Sequence, residues 1–330
     1  MLNFIGDVWL SGQNELNTSI IPDGLVVLNL EAPLAGGLEG DRKKICLKSH
    51  AESVRNLLSD RECIIGLSNN HIFDFGSEGF KNTIQFLNES GTPFFGAGAE
   101  SDNYNNPLIL SCGIAIGGYV CASTHPATGG GGYGVAMLTL ERVLRDRKLA
   151  FEGGASSFVA VIHWGEEEVT IPKLDDVRLA RSLVLNGVDL IIGHHAHVIQ
   201  SHETFFESSI FYGLGNACFD DFDIEVPEGK TVMAWAKQRW WNRRSLIVNV
   251  DSNASVQSIW KGDLSSSGGY LAEVRLRRHE LSEVRNGKMY RYYFELVRRL
   301  CFLRLGVSRF LHRPKVPSLN SILHLIGMRP

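Results

Sequence analysis

The chain of 330 residues contains no run of 18 apolar residues, so no stretch reads as a membrane-spanning helix. Its six cysteines (Cys46, Cys63, Cys112, Cys121, Cys218 and Cys301) lack the short spacings of a zinc knuckle or a disulfide framework. Several sit inside apolar runs such as Cys63-Ile-Ile-Gly66 and read as buried thiols of a reducing compartment. No basic segment followed by an apolar leader is visible: Met1-Leu-Asn-Phe-Ile-Gly-Asp7 already reads as a strand entering a turn, so the expected address is the cytoplasm. Gly96-Ala-Gly98-Ala does not complete a dinucleotide-binding fingerprint. No nucleic-acid reading motif is present either, which removes nucleic acid from the expected partners.

The net charge of -3 hides an uneven distribution. From Arg275 onward there are 13 Lys and Arg against 3 Asp and Glu, leaving 20 basic against 33 acidic residues in the rest. A basic tail on an acidic body implies a surface role of its own for the tail.

Short β-branched apolar runs at Phe4–Val8, Leu25–Leu30, Cys63–Leu67, Ile114–Cys121, Phe158–Ile162 and Asp189–Ile192 read as buried strands. Helical periodicity appears near Ala51–Leu58 and over Ser77–Asn88, Leu138–Leu149 and Leu174–Asn186. Ser245–Val250 and Val256–Trp260 read as a hairpin, and Gly129–Gly132 as a flexible linker. The expected class is α/β, with sheets packed together and helices outside.

Three of the eleven histidines, His194, His195 and His197, follow the run Leu190-Ile-Ile-Gly193. Four other strand-like runs end in the same manner, at Gly6-Asp7, Asn29-Leu-Glu31, Asn69-Asn-His71 and His163-Trp-Gly165. One such ending is ordinary capping or polar-loop chemistry, but five at the same end of successive strands point to a shared site. Two carboxylates, an asparagine oxygen and several imidazoles form a mixed N/O set suited to divalent ions such as Mn, Fe, Zn or Mg. One or two such ions are expected, and a pair about 3.5–4 Å apart would polarise a phosphoryl oxygen and activate water.

Gly6-Asp7-Val, Asn29-Leu-Glu31-Ala-Pro, Asn69-Asn-His71-Ile-Phe-Asp74-Phe-Gly76, His163-Trp-Gly165-Glu-Glu, Gly193-His-His-Ala-His197-Val and Tyr212-Gly-Leu-Gly-Asn216 resemble the ordered motifs of the CapA family. This family of bacterial capsule and poly-γ-glutamate synthesis proteins is a branch of the calcineurin-like metallophosphoesterases. The resemblance covers about Leu2 to Trp260 and implies a four-layer α/β/β/α sandwich of the metallophosphoesterase type. It implies Asp7, Glu31, Asn70, His163, His195 and His197 as metal ligands, and His71 as the group meeting the substrate or its leaving group. The wider superfamily begins Asp-x-His where this chain has Trp9, and Glu31 stands in place of a bridging aspartate. His194 matches no ligand position and is expected beyond the ligand shell or exposed.

Asp74 is expected either to orient His71 or to cap the helix starting near Ser77. Trp164, Glu166 and Glu167 are candidate pocket residues, although acids after a strand are also ordinary surface. Arg42, Lys43, Lys44 and Lys48 offer positive charge to an anionic or glycan-type substrate, or simply solvate their loop. We expect a domain over 1–265 and a basic, mainly helical C-terminal extension over 266–330. In the extension, Tyr293, Leu296, Val297, Leu300, Leu303, Val307 and Phe310 recur at helical spacing. Arg291, Arg298, Arg299 and Arg309 sit mostly off that stripe. Such a helix lies on an anionic membrane face, making the protein peripheral there, or packs against its own domain or a second copy. The expected function is metal-dependent hydrolysis of a phosphoester, or of an amide or ester, on a bacterial surface polymer. The rival reading is a non-catalytic component that binds glycan or a partner.

Overall fold

In the first sheet, the strands Leu2–Trp9, Leu25–Leu30, Cys63–Gly66 and Phe94–Phe95 run parallel to one another. The computed structural model describes residues 1–40, 45–127, 129–223, 235–236, 238–266, 269–275 and 287–312. The antiparallel strands Ser245–Val250, Val256–Asp263 and Tyr270–Glu273 extend this sheet beyond Leu2–Trp9. The second sheet is six-stranded and runs His202–Phe205, Ser208–Phe211, Leu190–His194, Ser157–His163, Ile114–Val120, Leu108–Ile109.

The central strands of each sheet are apolar because both of their faces are covered, whereas Val256–Asp263, Tyr270–Glu273 and His202–Phe205, toward the sheet edges, are more polar and partly exposed. Side chains alternate across a strand, so each run feeds two cores. Leu2, Phe4, Val27 and Ile64 face Ile116, Val159, Val161, Ile192 and Phe211 between the sheets. Ile5, Val26, Leu28 and Ile65 face outward instead, onto α1 (Ala51–Asp60) and α2 (Gly76–Glu89) through Val54, Leu57, Phe80 and Leu87. Phe158, Ala160, Ile162 and Ile191 meet Val143 and Ala150 of α3 (Leu140–Glu152) and Val177, Ala180 and Leu183 of α4 (Leu174–Leu185). The architecture is therefore the expected four-layer α/β/β/α sandwich.

Three expectations are refined. The division at 265/266 runs through a hairpin, because Tyr270–Glu273 pairs with Val256–Asp263 in the first sheet. The glycine tract is partly ordered, with Gly129–Gly130 paired to Tyr133–Val135. The C-terminal helix α5 (Gly287–His312) packs on its own domain. It buries Tyr290 and Phe294 against Val169, Ile171 and Leu174, and the Tyr290 hydroxyl donates to the Pro172 carbonyl at 2.9 Å. No helix among the described residues is long and apolar enough to cross a membrane.

Asp176, in the first turn of α4, is 8% exposed and its Oδ2 has no hydrogen-bond partner. Burial pushes its carboxyl up to about 6, against the opposing pull of the Lys173 charge and backbone. A raised carboxyl stabilises the fold below its unfolded value near 3.8, and that contribution is lost as pH rises through about 6. Asp176→Asn is therefore expected to stabilise the protein at pH 8 by about 1–3 kcal/mol. In denaturant titrations the gap to the parent should close as pH falls from 7 to 4. A gap that does not change with pH would remove this account of Asp176.

Candidate metal centre

Parallel strands present their C-terminal ends at one edge, and there the expected ligands meet. Asp7 lies opposite Asn29 on one side and Asn216 on the other, while His163 lies opposite His194. Two glycines permit the close approach. A Cβ on Gly6 would stand 2.1 Å from the Gly215 carbonyl oxygen, and one on Gly193 would stand 2.0 Å from that of Tyr212. The turn after Gly193 then places His195 and His197 at φ +88° and +55°, left-handed geometries that cost of order 1–3 kcal/mol each and concentrate at functional sites.

Two groups of ligand atoms result, each lying within 4.8 Å of one another: Asp7 with Glu31 and His163, and Glu31 with His195 and His197. Glu31 belongs to both. Asn70 joins the first, its Oδ1 lying 2.8 Å from His163 Nε2, while Glu31 Oε1 lies 3.5 Å from the same nitrogen. Asp7 Oδ2 is 3.5 Å from His197 Nδ1. The His163 and His195 rings are 4.7 Å apart.

A web of neutral donors holds the two acids in place. Asn29 Nδ2 donates to Asp7 Oδ1 at 2.8 Å and to Glu31 Oε2 at 2.5 Å. Asn69 Nδ2 donates to Asn29 Oδ1 at 3.0 Å, and its own Oδ1 accepts the His71 and Ile72 amides. His194 Nδ1 lies 2.8 Å from Asp7 Oδ1, the His195 amide donates to Asp7 Oδ2, and His197 Nδ1 lies 3.0 Å from Asn216 Oδ1.

The electrostatics fit a cation. Burial and the neighbouring Asp7 charge push the Glu31 carboxyl up to about 7. Burial also raises Asp7, but the charge and hydrogen bond of His194 outweigh it and bring the carboxyl below its usual range. Burial holds the imidazoles of His163 and His195 neutral, the latter down to about 4, which leaves them lone pairs to give. Glu31 Oε1, His163 Nδ1 and His195 Nδ1 are buried without a hydrogen-bond partner. Burial lowers His197 as well, but the Glu31 and Asp7 charges raise its imidazole to about 9, so the two buried carboxylates already draw positive charge to the site. With the neutral imidazoles of His163 and His195 and the orphaned atoms they fit divalent ions, and no thiolate is involved.

Beside this cluster His71 Nδ1 lies 2.7 Å from Asp74 Oδ2, which also accepts the Leu47 amide. Burial pulls the His71 imidazolium down, yet the Asp74 hydrogen bond and charge raise it overall. Asp74 thus orients His71; the N-terminus of α2 takes no side-chain cap.

Other expectations are corrected. Trp164 is 1% exposed, stacks on Tyr212 in the outer core and donates its Nε1 proton to the Tyr212 carbonyl, so it lines no pocket. Glu166 turns away to Arg298 of α5 at 2.5 Å. Glu167 takes its place: its side chain is exposed, and against the desolvation it undergoes beside the cluster the charges of histidines 197, 195 and 71 lower its carboxyl. Of the two places expected for His194, the structure shows the one beyond the ligand shell: it is buried and orients Asp7. Trp9 donates to the Lys48 carbonyl and stands 5.2 Å from the Phe219 ring, which in turn is 4.8 Å from His197. Lys48 is exposed, and Arg42, Lys43 and Lys44 lie outside the described residues.

The family described as "Bacterial capsule synthesis protein PGA_cap" matches residues 6–221, a span containing every ligand candidate above. "Capsule biosynthesis protein CapA" of Bacillus anthracis is 30% identical over 189 residues, covering 54% of this chain and 45% of that protein. "PGA biosynthesis protein CapA" of Bacillus subtilis is 28% identical over 257 residues, covering 75% and 66% respectively. The chain thus spans about half to two thirds of the length of these relatives. Among solved structures, the calcineurin-like phosphoesterase YfkN from Bacillus subtilis aligns over 90% of this chain and 98% of its own, at 14% identity and a TM-score of 0.36.

Proposed function

Because the chain belongs to the bacterial capsule synthesis protein PGA_cap family, we propose that it is a metal-dependent hydrolase of a phosphoester or related bond in the synthesis or modification of a bacterial surface polymer. The observation carrying this reading is the pair of ligand groups sharing Glu31, with the His71–Asp74 pair alongside. Asp7, Glu31, Asn70, His163, His195 and His197 would hold the ions. Bound there, divalent ions would supply positive charge to a phosphoryl oxygen and bring a water's pKa toward neutrality.

The chain's own groups supply the rest. Asn29 spaces the two carboxylates, and His194 with the His195 amide fixes Asp7. Asp74 commits His71 Nδ1, leaving Nε2 as the nitrogen that hands a proton to a leaving group. Glu167, an exposed acid beside the cluster, keeps negative charge near the three histidines. Six free cysteines support a cytoplasmic setting.

The test is metal analysis of the purified protein together with turnover of phosphomonoesters, phosphodiesters, amides and esters in manganese, for the parent and His195→Ala. Bound metal and turnover that both disappear in the variant support the hydrolase. Phe219 packed beside His197, with Trp9 buried behind it where the wider superfamily has a histidine, favours a second reading, in which the centre binds polymer or a partner without hydrolysing it. Bound metal without turnover on any of these bonds would support that reading, and a protein that takes up no metal would refute both.

A further inference from the structure

Helix α5 carries two apolar stripes, and among the described residues only one is covered by its own domain. Tyr290, Phe294 and Cys301 are buried, with Val297 partly so, whereas Tyr293, Leu296, Leu300, Leu303 and Val307 remain 45–58% exposed, with Tyr292 beside them at 80%. The outer stripe advances by alternating steps of three and four residues, the narrow seam of a coiled coil rather than the broad apolar sector of a helix lying in a bilayer.

We propose that this stripe is the interface with a second copy of the chain, formed by two antiparallel α5 helices about a two-fold axis near Arg298. The steps from Tyr293 to Leu303 read the same in both directions. Under that symmetry Leu296 meets Leu300 of the partner subunit, and Tyr293 meets the partner subunit's Leu303. Closed two-fold dimers are the commonest oligomers and need such a self-complementary patch. The six exposed side chains offer roughly 600 Å² per copy, or about 1,200 Å² in total, the lower edge of a specific interface.

Several of the described arginines of the helix are held by its own domain. Arg298 is held by Glu166 and Arg304 stacks on Trp241 at 4.2 Å. Lys288, Arg291 and Arg299 are the exposed cations among the described residues of the helix; Arg291 lies 3.8 Å from Asp175, and Arg299 lies beside the two-fold. Like charges at the dimer centre repel, so added salt strengthens this association, whereas salt weakens binding to an anionic bilayer.

Sedimentation equilibrium of the reduced full chain tests the proposal. A monomer–dimer equilibrium near micromolar concentration is expected, shifting toward dimer between 0.05 and 0.5 M salt (about a tenfold change in ionic strength). Leu296→Glu with Leu300→Glu should give a monomer at all concentrations, with the thermal midpoint that the parent shows when diluted to monomer, because both positions face solvent in the single chain. The proposal is overturned by a monomeric parent, whether or not it co-sediments with phosphatidylglycerol vesicles. It is equally overturned by a dimer that survives the double substitution.

Discussion

Glu31→Gln is expected to raise the thermal midpoint of the metal-free protein and to erase its gain from manganese. In the absence of a cation, Glu31 and Asp7 are both buried and are bridged by the single amide of Asn29. A buried charge without a full countercharge opposes folding, so its removal at pH 8 should stabilise by about 1–3 kcal/mol. For a chain of this size that corresponds to a rise of about 1.5–4 °C. The glutamine keeps the oxygen that accepts from Asn29, so the local hydrogen bond survives. With manganese the order inverts. A ligand at 1,000 times its dissociation constant stabilises the parent by about 4 kcal/mol, while the variant, lacking the carboxylate common to both ligand groups, gains little. Turnover should fall by roughly 10³ or more, since the charge supplied at the transition state is worth several kcal/mol. Thermal scans of both proteins in EDTA and in manganese decide the matter. If Glu31→Gln lowers the metal-free midpoint and manganese shifts both proteins equally, Glu31 is a structural acid and not a shared ligand.

The layers of the fold were legible because each buried strand declares itself as a short β-branched run, and parallel strands bring their C-terminal ends to one edge. That geometry explains why Asp7, Glu31, Asn70, His163, His195 and His197, drawn from five separate segments, were found together. The supporting web was harder to read, because it depends on register. His194 continues its strand by alternation from Leu190 and Ile192, both of which face the inter-sheet core, so it points inward at Asp7. Ending the strand at Ile192 conceals this. Asn29 carried a usable signal, since it lies two residues before Glu31 on the same strand end and therefore on the same face.

Long-range partners account for the remaining differences. Nothing local separates Glu166 from Glu167; the turn at Gly165 (φ +94°) and an arginine 132 residues away decide which acid faces the histidines. Trp164 reads as a pocket aromatic only until Tyr212 supplies both a stacking face and a carbonyl for its indole. In α5 the periodicity identifies the helix but not its buried side, because two apolar stripes compete. The residues Val169, Ile171 and Leu174, from the loop after the Ser157–His163 strand and the start of α4, select the stripe containing Tyr290 and Phe294.

His71→Ala is expected to separate proton transfer from metal binding. Positioned general acids contribute about 10²–10⁴ in rate, so kcat on an alkyl phosphoester should drop by that factor while metal content stays at the parent level. The loss should shrink on a nitrophenyl ester, whose leaving group departs without a proton. A ligand substitution such as His195→Ala predicts the opposite pattern: metal content falls and both substrates suffer alike. Asp74→Asn completes the comparison. Its single oxygen can still accept from both the Leu47 amide and His71, as Oδ2 does, but offers no negative charge to the ring, so the proton on His71 is held less firmly and its orientation loosens. A loss of about 10-fold is expected there, again larger for the alkyl ester. Equal losses on both esters, or metal that leaves with His71, would place this histidine among the ligands and assign protonation of the leaving group to another residue.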